Sequence, residues 1–283
     1  MIKMKLIFVL LLTISFTAFG CSKDESNPTE NNGDTIDNPY EGYELVWNDE
    51  FEGSKIDLTK WEHEVNARGG GNNELQYYTD RPENSFVQDG HLHIVAIQEE
   101  YTAEEGTRYY TSARLRTPNK GDWKYARIDV KAKVPFGQGI WPAIWMLPTD
   151  WEYGGWPSSG EIDIMEHVNL DNEIHGTVHT EAYNHRKGTQ KGGQIEVPDA
   201  NEKFHVYSIV WTDDQIDFLV DDNKYFSFEN DKQGDYRTWP FDKRFHLILN
   251  VAVGGDWPGN PTPETKFPKE MVIDYVRVYQ ETE

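Results

Sequence analysis

Cysteine is almost absent from this chain of 283 residues; the single one is Cys21. One cysteine cannot close an internal disulfide, so packing and hydrogen bonds must hold the fold. Basic residues are scarce as well. Lys and Arg number 27 against 49 Asp and Glu, a formal charge of −22. Such a surface repels nucleic acid, anionic lipid and highly sulfated glycans, and it suits a neutral partner. Long apolar runs are missing. The stretch from Leu6 to Leu12 is too short for a membrane span. No internal repeat is visible, and no long stretch carries a helical period. Only Asp57-Leu58-Thr59-Lys60-Trp61 reads as the start of a short helical turn.

What the first forty residues do contain is an export pattern. Lys3 and Lys5 precede the apolar run, and small and aromatic residues follow up to Gly20. Cys21 comes directly after. Its position resembles a bacterial lipoprotein box, which implies that residues 1–20 are removed and that Cys21 carries the lipid. Ser22-Lys23-Asp24-Glu25 resembles the acidic tag that sends some bacterial lipoproteins to the outer face of the cell. The expected location is therefore the outer membrane, exposed at the cell surface. Residues 21–39 hold Ile36 as their only large apolar side chain, too little to offset the entropy of ordering, and read as a disordered tether. Residues 40–283 are long enough for one large domain.

Within that domain, strand-like runs alternate with turn signals. They are His91–Ile97, Arg127–Val134, His205–Trp211, Ile216–Val220, Phe245–Val251 and Met271–Tyr279. In the last, simple alternation puts Val272, Asp274, Val276 and Val278 on one face and Ile273, Tyr275, Arg277 and Tyr279 on the other. Asp221-Asp222-Asn223 reads as a hairpin turn. The expected class is all-β, two antiparallel sheets stacked as a sandwich or jelly roll. Aromatics are plentiful, with 10 Trp and 15 Tyr. Most belong in a core, but flat aromatic faces also stack on sugar rings.

One run stands apart: Gly160-Glu161-Ile162-Asp163-Ile164-Met165-Glu166. On a strand, Glu161 and Asp163 share a face, and Ile162 and Ile164 take the other. Glu166 has the wrong parity unless a β-bulge after Asp163 adds one residue. With the bulge, three carboxyls line one side of a sheet and Met165 joins the apolar side. Crowded carboxyls perturb one another's pKa values, which suits glycoside hydrolysis. A retaining glycosidase needs an ionised carboxylate to attack the anomeric carbon and a protonated one to supply the leaving oxygen. Asp163, between them, can hold Glu161 and Glu166 in different protonation states.

This run resembles the signature of glycoside hydrolase family 16, in the bulged form typical of laminarinases. Further matches follow in the family's order: Asn72-Asn73-Glu74-Leu75-Gln76-Tyr77-Tyr78, Tyr110-Thr111-Ser112-Ala113-Arg114, Trp141-Pro142-Ala143-Ile144-Trp145-Met146-Leu147, Gly176-Thr177-Val178-His179-Thr180, Asn250-Val251-Ala252-Val253-Gly254-Gly255 and Asp274-Tyr275-Val276-Arg277-Val278-Tyr279. His167-Val168-Asn169 stands where many relatives carry small residues. The resemblance implies a β-jelly-roll with a concave substrate cleft. It implies Glu161 as nucleophile, Glu166 as acid/base and Asp163 as helper. It places Trp141 and Trp145 beside the acids as sugar platforms. Trp257 is expected at the cleft wall, and Asn72, Asn73, Arg114 and His179 are weaker candidates for sugar contacts. No cofactor is expected for catalysis. Family members often carry one structural calcium, and the matching positions are Glu50, Gly90 and Asp274. Zinc is not expected: His175 and His179 have the i, i+4 spacing of a helical pair, but their segment reads as strand and no third ligand pattern follows.

The implied activity is endo-hydrolysis of β-1,3-glucan, with mixed-linkage β-1,3/1,4-glucan as a further substrate, by a monomer whose only membrane contact is its lipid. The bulged motif also occurs in relatives that cut agar, porphyran or carrageenan. Binding proteins on the same fold lack the acids that are present here.

Overall fold

The computed structural model describes residue 36 and residues 38–282. The export signal, Cys21, the acidic tag and most of the tether lie outside the described residues.

Two sheets pack face to face and share one apolar core. The first runs, in spatial order, Asn223–Glu229, Gln215–Val220, His205–Trp211, Ala126–Lys133, Lys269–Glu281, His91–Ala103, Gly106–Ser112 and Tyr77–Tyr78. Tyr43–Asp49 pairs with Lys269–Glu281, and Ser85–Gln88 with His91–Ala103. The second runs Lys191–Glu196, Glu173–His179, Glu161–Glu166, Ile140–Pro148, Phe245–Val253, Arg114–Arg116 and Glu62–His63, with Asp122–Trp123 on Phe245–Val253. Pairing is antiparallel except for Tyr77–Tyr78, which runs parallel to Thr111 and Ser112. The all-β expectation holds, and among the described residues helix is confined to two short 3₁₀ turns.

Alternation decides which side chains make the core. In Ile140–Pro148, Ile140, Ile144 and Met146 are fully buried between the sheets, while Trp141, Ala143 and Trp145 take the outer face. Ile128, Val130 and Ala132 from the first sheet meet Ile162, Val178, Leu247, Leu249 and Val251 from the second in the same cluster. Burying each large aliphatic side chain contributes roughly 1.5–3 kcal/mol. Phe245–Val253 is buried at every position, because strands cover both its edges and the cleft side chains cover its outer face.

The Asp221-Asp222 turn is as expected. Val220 pairs with Asn223, and both turn residues have positive φ, 48° and 61°. That is the geometry matching strand twist in a two-residue hairpin. Lys60 and Trp61 both donate backbone N–H groups to the Asp57 carbonyl, which makes the short turn at Asp57. Strand His91–Ala103 runs well past Ile97, because its polar second half pairs with Gly106–Ser112 as a hairpin.

Simple alternation fails in Lys269–Glu281. Register with Ala126–Lys133 slips between Ile273 and Tyr275. The extra residue is Asp274. Met271 and Ile273 therefore share the core with Val276 and Val278, although their parities differ.

Candidate active site

Gly160 opens the strand that carries the acids. Its φ is +90°, and a Cβ there would lie 2.9 Å from Pro240 and 3.0 Å from Phe241. Only glycine fits. Glu161–Glu166 then runs between Ile140–Pro148 and Glu173–His179. Glu161 pairs with His179, Asp163 with Thr177 and Glu166 with His175, so three steps on the acid strand oppose two on its neighbour. This is the expected bulge. Ile162, Ile164 and Met165 enter the core, none more than 1% exposed. The three carboxyls share the opposite face, at the floor of a cleft.

Burial holds all three acids above the ordinary carboxyl range. Glu161 is pushed up to about 8 by burial and then by the Asp163 charge, with His179 and the Trp156 indole pulling the other way. Glu166 also rises to about 8, by burial and Asp163, against His179 and Trp141. Asp163 is raised by burial. Trp141 Nε1 donates to Glu166 Oε1 at 3.0 Å. A row this crowded titrates as one unit, so one member stays protonated while another ionises. His179 closes over it, with Nε2 3.6 Å from Glu161 Oε1 and 3.4 Å from Asp163 Oδ2.

The acids sit where two open cavities meet. One of about 410 Å³ extends past Trp145, Trp151 and Trp156. The other, about 700 Å³, extends past Thr177, Gly192 and Trp257. Asn72, Trp141, Glu161, Glu166, His185 and Arg186 line both. Together they form a groove with aromatic walls and carboxyls at its middle, a shape that fits a chain threaded across the acids.

The cleft gathers most of the residues singled out in the sequence. Trp141 lies edge-on to Trp257, ring centres 5.6 Å apart. Trp257 is 45% exposed and lines the second cavity. Trp145 is fixed by its Nε1, which donates to Asn250 Oδ1 at 2.7 Å. Asn72 and His179 line the cleft. Arg114 also lines it, but its charge is spent on the protein: the guanidinium lies 3.3 Å from Glu64 and 3.6 Å from Glu74, over the Tyr78 ring. Asn73 does not itself line either cavity: its φ is +58°, and its amide donates at 2.9 Å to Asp256, which lines the second one, tying two loops together at the cleft edge. His167 is a packing residue, stacked on Phe136 with ring centres 4.0 Å apart.

Residues 71–277 match the model for glycosyl hydrolases family 16. The chain belongs to glycoside hydrolase family 16. It is similar to a beta-glucanase of Rhodothermus marinus, 52% identical over 249 residues, 84% of this chain and 85% of that one. The solved structure of the laminarinase from Rhodothermus marinus superposes with a TM-score of 0.81 at 51% identity, over 85% of this chain and 98% of that chain. SCLam, a non-specific endo-beta-1,3(4)-glucanase co-crystallised with a glucan oligosaccharide, gives a TM-score of 0.82 at 45% identity, over 86% and 96%. Membership makes this protein a glycoside hydrolase with the family's jelly-roll-like fold, and family 16 chemistry needs no catalytic cofactor.

The calcium implied by the family resemblance does not fit the side chains that would hold it. Both oxygens of Glu50 accept from Arg277, at 3.0 and 2.8 Å. Asp274 lies 2.8 Å from Lys131. An ion there would have to displace two cationic partners, and Gly90 offers only its backbone.

Sequence reasoning missed Trp151, Trp156, His185 and Arg186. The first two had a signal: Trp151-Glu152-Tyr153-Gly154-Gly155-Trp156 is an aromatic, glycine-bearing loop just before the acid strand. His185 and Arg186 had none. A 3₁₀ turn, His185–Lys187, brings them in, and the Arg186 guanidinium lies 4.6 Å from the Trp156 ring centre.

Proposed function

We propose that this family 16 enzyme is a retaining endo-hydrolase of β-1,3-glucan, and that it also accepts mixed-linkage β-1,3/1,4-glucan. The observation that carries the mechanism is the bulged acid strand, which sets Glu161, Asp163 and Glu166 on one face of an open, Trp-walled cleft. Glu161 attacks the anomeric carbon as Glu166 gives its proton to the departing glycosidic oxygen. A covalent glycosyl–enzyme remains. Glu166, now ionised, takes a proton from water, which releases the sugar from Glu161. A charge on Asp163 raises both, so the pair shares its protons as one coupled unit. The Trp141 indole occupies Glu166 Oε1 and so leaves the other oxygen to face substrate.

A glucan fits the groove because the sugar chain is neutral and the protein strongly acidic. The names of the relatives, beta-glucanase, laminarinase and endo-beta-1,3(4)-glucanase, support the same substrate class. A binding protein would have no use for three acids raised in this way.

The test is product analysis on laminarin, lichenan and agarose side by side. Cleavage of laminarin into short oligosaccharides, lichenan more slowly and agarose not at all, is expected. Agarose as the best substrate overturns the reading. Proton NMR during early turnover should show the β-anomer of the new reducing end first; early α-anomer overturns retention.

We also propose lipidation at Cys21, with residues 22–39 as the tether of a surface-exposed outer-membrane lipoprotein. We take the acting form to be a monomer. Structural calcium forms no part of the proposal. Cys21→Ala should release the protein from the membrane fraction, and an unlipidated, soluble wild type refutes the anchor.

A further inference from the structure

The catalytic face holds a second chemical possibility that glucan hydrolysis does not use. His179 stands on the strand beside the acids, opposite Glu161. Neither the sequence spacing nor the partner His175 reveals it, because the other donors come from a different strand. Glu161, Asp163 and His179 each offer one ligand atom, and all three atoms lie within 4.8 Å of one another. No other group of three such side chains forms among the described residues.

We propose that Glu161, Asp163 and His179 form a binding site for a zinc-class divalent cation, and that this cation inhibits the enzyme by competing with glucan. Three observations carry the proposal. The first is spacing. A tetrahedral ion with bonds of about 2.0–2.2 Å to nitrogen and oxygen holds its ligand atoms about 3.4 Å apart. His179 Nε2 is 3.4 Å from Asp163 Oδ2 and 3.6 Å from Glu161 Oε1, so two of the three edges already have that length. The long Glu161 side chain closes the third.

The second is an acceptor without a donor. Asp163 is 3% exposed, and its Oδ2, the oxygen facing His179, has no hydrogen-bond partner. A buried carboxylate oxygen left in that state costs free energy that a cation recovers.

The third is ligand type. One imidazole and two carboxylates favour zinc, copper or cobalt, whereas calcium and magnesium take oxygen donors and larger coordination numbers. Two carboxylates also neutralise a divalent ion. Three protein ligands leave the fourth position open to the cleft, where water or a sugar hydroxyl completes it. An ion held on Glu161 through one oxygen draws off the carboxylate's charge and occupies the space at the cleft floor that the sugar ring must enter, so attack on the anomeric carbon is blocked. Binding of the ion stands on this geometry alone; the inhibition rests on the role proposed for Glu161.

The test uses the full chain stripped with EDTA and dialysed, titrated with zinc chloride by calorimetry at neutral pH. One ion per chain is expected, with calcium and magnesium giving no heat. Zinc should raise the apparent KM for laminarin without changing kcat, and EDTA should restore the rate. His179→Gln should weaken zinc by roughly tenfold or more, since one of three protein ligands is gone. His93→Gln, on the opposite sheet, should bind zinc as the wild type does. If His179→Gln does not fold, ¹⁵N shifts of the His179 ring in the wild type report the same contact on adding zinc. Absence of zinc binding, binding that survives loss of His179, unmoved His179 shifts, or inhibition that lowers kcat alone overturns the proposal. Failure of the glucanase reading shows separately, as no laminarin hydrolysis by the metal-free protein.

Discussion

Excising Ile164 from the middle of the acid strand should leave a working enzyme. Around the bulge, Trp145 pairs with Asp163, Ile144 with Met165 and Ala143 with Glu166. On the other side, Asp163 pairs with Thr177 and Glu166 with His175. Removal of one residue makes both ladders regular and shifts nothing downstream. Glu161, Asp163 and Glu166 then become positions i, i+2 and i+4, which share a face with no bulge. The loss is one core side chain. Ile164 is 1% exposed, and deleting a buried aliphatic of that size costs roughly 2–5 kcal/mol. Domains hold about 5–15 kcal/mol, so the protein should fold, with its Tm lowered by about 2–4 °C per kcal/mol. Displacing the acids by of order 1 Å costs up to ~10²-fold in rate. The decisive measurement is a second change. In the deletion variant, Glu166→Gln should still cost about 10²–10⁴-fold on laminarin, the range of a lost general acid. If that second change costs nothing in a folded deletion variant, Glu166 has left the cleft and the parity argument fails.

The remaining expectations concern charge. Glu161→Ser should abolish laminarin hydrolysis while the circular dichroism spectrum stays native, and near-normal turnover refutes its role. Glu166 is held at about 8 against an ordinary 4.5, so between those values the folded state binds more protons than the unfolded one and stability falls as pH rises. Glu166→Gln should therefore melt with the wild type below about pH 4.5 and above it at pH 8, by about 1–3 kcal/mol; coincident melting curves across that window overturn the assignment. Activity should decline as pH passes 8, because the acid loses its proton. Arg114→Met leaves the buried Glu74 without its cation, while Glu64 keeps Arg116 at 3.4 Å. It should cost about 3–5 kcal/mol in urea unfolding, and an unchanged midpoint shows that the pair is not stabilising.

Local alternation made much of this molecule legible. The acid run was readable because its parity was odd by one residue in a segment with only two face assignments, so one bulge resolved it. The Asp221-Asp222 turn was readable because two positive-φ positions favour such residues between paired strands. The same reasoning missed the bulge at Asp274. Nothing there forces a particular residue to a particular face, since the strand carries apolar side chains of both parities. The place of Asn73 was not legible for a related reason: the contact that fixes its amide, Asp256, is far along the chain.

The sequence by itself determined the all-β class, the acid strand and the core-facing residues of that strand, because each depends on period-two patterning and on side-chain chemistry within a few positions. Only the tertiary structure decided which residues complete the site. It brought Trp156 and His185 over the acids from separate loops, turned Arg114 into a counter-ion for Glu64 and Glu74, spent Glu50 and Asp274 on Arg277 and Lys131, and set His179 against Glu161 and Asp163. Those contacts join residues tens to hundreds of positions apart. Their distances depend on sheet order and loop path, and neither leaves a local pattern in the chain.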